Sequence, residues 1–166
     1  HPYSIIGREK VAGYAAEAKD FFTGCGIVIK GDASRNSWRI TPTGERKTGW
    51  LTLGDFTPLA TKDEKIGNKA LIINILGYLD FNTKFLADSF EKQGTECRIV
   101  SLKLEEMERL RKNPTEMRST NIAKTLTGDL IGALAARINE FAQDVDAVYF
   151  GALVGKCLGS IDHSKN

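Results

Sequence analysis

Two histidines, three scattered cysteines and four prolines are all that this sequence offers of the residues that most often announce chemistry or constraint. The histidines, His1 and His163, lie at opposite ends of the chain. No Ser-His or Cys-His pair therefore falls within a core segment, and no catalytic residue is expected. Cys25, Cys97 and Cys157 are odd in number, far apart and without a CxxC pairing, which reads as reduced thiols in a cytoplasmic protein. Carboxylates do not gather as metal ligands do: Glu105, Glu106 and Glu108 read as the wet face of a helix, and no metal is expected. No apolar run reaches about 18 residues, so no membrane-spanning helix is expected. The net charge of +2 is too small to mark nucleic acid or an acidic membrane surface as a partner. Nothing reads GxGxxG or GxxxxGK[ST], so the usual phosphate-cradling turns are missing as well.

What is present centres on Lys69 to Gly94. The unbroken apolar run Ala70 to Leu76 meets Gly-Tyr-Leu-Asp, then an amphipathic segment with Phe85, Leu86 and Phe90 on one face, then Gly94. A second apolar run, Cys97 to Leu102, follows at once. This succession predicts a βαβ unit whose two strands are parallel and covered. Asp80 or Asn82 can cap the helix, and Gly94 suits the left-handed position after it.

Upstream, Val11, Tyr14, Ala15, Ala18, Phe21, Phe22 and Cys25 recur at spacings of three and four. They predict one helix with a single apolar stripe, its other face carrying Arg8, Glu9, Glu17 and Lys19, ended by Gly24 and Gly26. A short strand over Ile27 to Lys30 comes next. Ser37 to Leu53 reads as a hairpin turning near Gly44, and Asp55 to Asn68 as a connecting loop. Downstream, Leu104, Met107 and Leu110 fit a short helix, and Pro114 suits the first position of another, with Met117, Ile122 and Leu126 buried. A longer helix opens at Thr127 or Asp129, with Leu130, Ile131, Leu134, Ala135, Ile138 and Phe141 inward. Ala147 to Phe150 is a third parallel strand, and the tail from Cys157 is polar. The expected class is α/β: a three-layer domain around a small parallel sheet, with an N-terminal helix and a β-hairpin lobe. The expected divisions are a lobe over residues 1–54, a linker over 55–68 and the parallel domain over 69–166.

Ligands of open α/β sheets collect at the carboxyl ends of the strands, where backbone N–H groups are left unpaired. Gly77, Asp80 and Gly151 belong there. Arg118, set in the first turns of the helix after Pro114, could hold a phosphate or carboxylate with Thr115, Ser119 or Asn121. A solvated basic face, or pairing of Arg118 with Glu116, is the competing account, and Arg46 and Lys47 pose the same question. The candidate ligand residues are thus Gly77, Asp80, Arg118, Asn121 and Gly151.

The chain begins with His1 rather than Met, which reads as an excised piece. Copper at an N-terminal histidine would want a second imidazole, and His163 sits in the polar tail. HPYSIIG, ITPTGERKTGWLT, ILGYLDFNTKFLADSFEKQG and LRKNPTEMRSTNIAKTL, in that order and spacing, resemble the middle of the B subunit of anaerobic glycerol-3-phosphate dehydrogenase. The similarity runs to about residue 126 and weakens after Asp146; the stretch between Lys47 and Lys69 is longer and more charged than the family pattern. The resemblance implies a flavoprotein whose full chain carries FMN or FAD on segments flanking this one, so that no flavin is expected in these 166 residues and the fragment alone should be inactive. It further implies a dehydrogenase A subunit and a membrane-associated iron–sulfur C subunit as partners, glycerol 3-phosphate as small-molecule substrate, electron delivery to quinone, and a cytoplasmic location against the inner face of the membrane. The alternatives are a stand-alone α/β module that binds a phosphorylated small molecule at Gly77, Arg118 and Gly151, or an interaction domain without ligand.

Overall fold

The three-and-four spacing after Gly7 does make a helix. In the computed structural model, which describes residues 2–54, 56–103, 105 and 118–151, a short helix α1 (Pro2–Ile6) precedes α2 (Arg8–Gly24). The apolar stripe of α2 does not go inward as its periodicity suggests. None of its residues is buried, and Tyr14, Phe21 and Phe22 are exposed. Periodicity reports that a face exists; it does not say what covers it.

The first of two units comprises His1–Thr41 and Arg46–Glu64. Beyond α2 it holds strands β1 (Ile29–Gly31), β2 (Ser37–Ile40), β3 (Arg46–Gly49) and β4 (Leu51–Leu53). The expected hairpin forms between β2 and β3, with Ser37 opposite Gly49 and Ile40 opposite Arg46. Its second strand, however, breaks at Trp50, and β4 pairs antiparallel with β1. The cause is local. The Trp50 carbonyl accepts the Asp32 N–H at 3.1 Å. Gly31, at φ 114°, lies so close under that carbonyl that a Cβ would overlap it. Leu59 joins this unit through two backbone hydrogen bonds with Trp38, of 2.8 and 2.7 Å, and is buried.

The second unit comprises Pro42–Glu45 and Lys65–Asn166. Its elements are β5 (Lys69–Ile75), α3 (Thr83–Glu91), β6 (Glu96–Leu102), α4 (Ser119–Thr125), α5 (Gly128–Phe141) and β7 (Ala147–Phe150). The three strands form one parallel sheet in the order β6-β5-β7, with Ala70 opposite both Cys97 and Ala147. The fold class is α/β. Ala70, Leu71, Ile72, Ile73 and Ile75 of β5 are each at most 2% exposed. Successive strand residues point to opposite faces, so burial of a continuous run means that β5 is covered on both sides. Phe90 of α3 is fully buried and meets Tyr149 of β7 edge to face, ring centroids 4.8 Å apart. In α5, Ile131, Leu134, Ala135 and Ile138 are buried, as their spacing predicts.

Three expectations need correction here, and the choice of cap for α3 resolves. β6 is not covered as β5 is: it has a single neighbour in the sheet, and Glu96, Arg98, Ile99 and Ser101 are exposed. Phe85 does not share a face with Phe90: five residues apart puts them about 140° round the helix, and Ala87 takes the buried place beside Leu86. Asn82, not Asp80, caps α3, its Oδ1 accepting from the N–H groups of Lys84 (3.2 Å) and Phe85 (3.3 Å). Arg118 has an extended backbone (φ −103°, ψ 155°), so α4 starts after it at Ser119 instead of running through it from Pro114. Ile122 and Leu126 are buried as expected. The helix over Leu104 to Leu110, the residues Pro114 and Met117, and the tail from Cys157 lie outside the described residues.

Candidate functional site at the carboxyl edge of the parallel sheet

From β5 the chain crosses to β6 on one flank, and β7 then returns on the other. The carboxyl ends of β5 and β7 therefore form the place where strand order reverses, which is where open α/β sheets usually take ligands. Gly77 makes the turn out of β5 in the left-handed region, at φ 85°. Tyr78 follows, its N–H donating to the Ile75 carbonyl at 3.0 Å. Gly151 leaves β7 directly against this turn: a Cβ added there would overlap the Tyr78 ring and stand 2.8 Å from the Phe81 Cβ.

Asp80, five residues after the end of β5, reaches the start of α4. Its Oδ1 pairs with Arg118 Nη1 at 2.5 Å, and its Oδ2 accepts the Ser119 N–H at 2.8 Å. The Ser119 N–H, then the guanidinium, hold the Asp80 carboxyl below its ordinary value. Burial, and next the Asp80 charge, push the Tyr78 phenol up, against a hydrogen bond with Ser119. Asn121 sits in the first turn of α4, its N–H donating to the Arg118 carbonyl at 3.1 Å.

Within one unit, Asp80 thus meets Arg118, and Gly151 lies against Tyr78 and Phe81 of the turn that Gly77 opens, while Asn121 stands in the first turn of α4. The arrangement is that of a closed polar latch. An incoming phosphate would have to displace Asp80 from the Arg118 guanidinium and from the Ser119 N–H. Asp80 is therefore the acid that Arg118 meets; Glu116, the acid nearer in sequence, lies outside the described residues. Tyr78 and Phe81 are not among the residues that the sequence singles out. Their signal is two aromatic residues flanking Leu79-Asp80 in a turn that carries a single glycine. Among the described residues no group of three or more His, Cys, Asp or Glu is placed to hold a metal ion, and no helix is long and apolar enough to cross a membrane.

The opposite, amino edge holds a second carboxylate that sequence pattern does not reveal. Asp146 Oδ2 accepts the N–H groups of Asn68 (2.6 Å) and Lys69 (3.0 Å), while its own N–H donates to the Lys69 carbonyl at 2.9 Å. Those two backbone donors hold its carboxyl below the ordinary value of 3.8. A carboxyl depressed by folding stabilises fully above that ordinary value and loses its contribution as the pH falls below it. Asp146→Asn should therefore lower the urea midpoint at pH 7, and the gap to the parent should narrow as the pH falls below the ordinary carboxylate value. Equal gaps at both pH values would show that the charge plays no part.

No family model matches the chain, and no solved structure matches it. Several relatives among curated proteins carry one name. The B subunit of anaerobic glycerol-3-phosphate dehydrogenase from Pectobacterium atrosepticum is 33% identical over 156 residues, covering 93% of this chain and 37% of the relative. The B subunit from Yersinia enterocolitica is 31% identical over 157 residues. That from Glaesserella parasuis is 32% identical over 170 residues, covering 99% of this chain and 39% of the relative. The chain spans well under half the length of the relatives that it matches, which accords with a segment of such a protein. The resemblance read from the sequence holds: over nearly its whole length this chain is homologous to a segment of the B subunit of anaerobic glycerol-3-phosphate dehydrogenase.

Proposed function

We propose that this chain is the middle, non-nucleotide-binding segment of the B subunit of a flavin-dependent glycerol-3-phosphate dehydrogenase, serving as cap and scaffold beside the flavin. The observation that carries the reading is similarity to such B subunits across 93% of the chain but only 37% of their length. The helix ends add support. In a nucleotide-binding βαβ unit the first N–H groups of the helix are left for phosphate. Here Asn82 takes those of Lys84 and Phe85 in α3, and Asp80 takes that of Ser119. These helix ends do not fit a flavin pyrophosphate or phosphate, and on this reading FMN or FAD would be held by other parts of a longer polypeptide.

In that polypeptide the flavin would supply the acceptor for the two electrons released as glycerol 3-phosphate becomes dihydroxyacetone phosphate. Electrons then pass to a quinone in the membrane, with a dehydrogenase A subunit and an iron–sulfur C subunit as partners, at the inner face of the membrane. The residues described here would orient and enclose; none is assigned to a bond-making step.

The test compares the 166-residue chain with the full-length polypeptide of its reading frame. The full-length protein should purify with FMN or FAD and, with its A and C partners, reduce a quinone at the expense of glycerol 3-phosphate. The 166-residue chain should be colourless, and its melting should not move with FMN, FAD or glycerol 3-phosphate. Tight flavin binding by the short chain would overturn the assignment.

A further inference from the structure

The first unit has almost no interior of its own. Among its described residues only Thr52 and Leu59 are buried. Against these two stand Ile5 of α1 at 88% exposure, Tyr14 and Phe21 of α2 at 63% and 67%, and Val28 before β1 at 71%. Helix α2 is 17 residues long, about 25 Å of helix. In proteins most of a helix's stability comes from packing its apolar face rather than from its own propensity. A monomeric protein rarely leaves so many large apolar side chains together in solvent.

Length identifies the occupant. The relatives extend well beyond the matched stretch, with 63% of the Pectobacterium atrosepticum protein and 61% of the Glaesserella parasuis protein outside it. Polypeptide covalently joined to this face would reach it at high effective concentration and without the entropic cost of a second molecule. The exposed face of α2 also carries Arg8, Lys10 and Lys19 among Glu9, Glu17 and Asp20, so no charge of one sign invites a separate charged partner.

We propose that the apolar face of α1 and α2 is an intrachain docking surface, covered in the full-length polypeptide by an apolar segment lying outside these 166 residues. This rests on the segment reading above, and on its length argument alone. Cys25, exposed just past the end of α2, reports on the surface. Cys97 serves as a slow internal reference, because burial pushes its thiol up to about 11.

The experiment uses the 166-residue chain and the full-length polypeptide, both carrying Cys157→Ser. N-ethylmaleimide labelling is followed peptide by peptide, and hydrogen exchange of the α2 amides decides between outcomes. In the full-length protein Cys25 should label at least tenfold more slowly than in the short chain, the α2 amides should gain protection, and Cys97 should be unchanged. Phe21→Asp should undo the protection in the full-length protein. Equal α2 exchange in the two proteins would overturn the proposal. So would protection of the short chain that grows with its concentration, which would mean a second copy, or protection that appears only when another subunit is added. A reading frame that adds no residues to these 166 would overturn it as well. Flavin content, read on the same sample, separates the two claims. A protected α2 without flavin would remove the flavoprotein reading and leave the docking surface. An open α2 with flavin bound would do the reverse.

Discussion

Phe90→Ala should cost the second unit about 3–5 kcal/mol, a fall in melting temperature on the order of 10 °C. Phe90 is fully buried, and its ring meets Tyr149 edge to face at 4.8 Å, so truncation removes both burial and an oriented aromatic pair. It also leaves a cavity between α3 and β7 that backbone on either side is poorly able to close. Phe85→Ala is the informative control. The two phenylalanines lie in the same nine-residue helix, but Phe85 is 56% exposed, and its loss should change stability by no more than about 0.5 kcal/mol. Denaturant titrations of the two variants settle the matter. Comparable losses would mean that α3 is rotated from the orientation described.

Gly151→Ala should be clearly damaging although it adds only one methyl group. Glycine is needed there for room: the new Cβ would run into the Tyr78 ring and the Phe81 Cβ, both part of the buried turn after β5. Overpacking of this kind costs about 1–3 kcal/mol. The check is a double-mutant cycle with Tyr78→Ala, which clears the space. The paired variant should lose less than the sum of the two single losses, with a coupling of at least about 0.5 kcal/mol. Strict additivity would mean that the two residues do not meet.

The parallel core was legible because its signals are local and mutually consistent. β5 holds the apolar run from Ala70 to Ile73, Gly94 at φ 78° follows the end of α3, and α5 shows its buried stripe at regular spacing. The placement of Gly77, Asp80 and Gly151 at strand ends follows from that same topology. What escapes the sequence are relations between distant residues. Pattern offers Arg118 a partner two residues away at Glu116, whereas Asp80 is 38 residues earlier in the chain. The transfer of Leu51–Leu53 to a different ladder depends on Gly31 passing under Trp50, which alternation along β3 and β4 gives no means of seeing. The α2 stripe is legible as a stripe, while its environment is not. Asp146 goes unnoticed because a single acid before a strand looks like any other solvated charge.

The Asp146 clasp has a consequence for synthesis. It binds Asn68 and Lys69 across separations of 78 and 77 residues, and the same late stretch brings β7 to the flank of β5. As the chain leaves the ribosome, β5, α3 and β6 are all present while that flank still has no strand to receive. During this interval the buried strand β5 shows an open hydrogen-bonding edge to every nascent neighbour. A translational pause or truncation before residue 146 should therefore send the protein toward aggregates or chaperones, and one that falls after residue 150 should not.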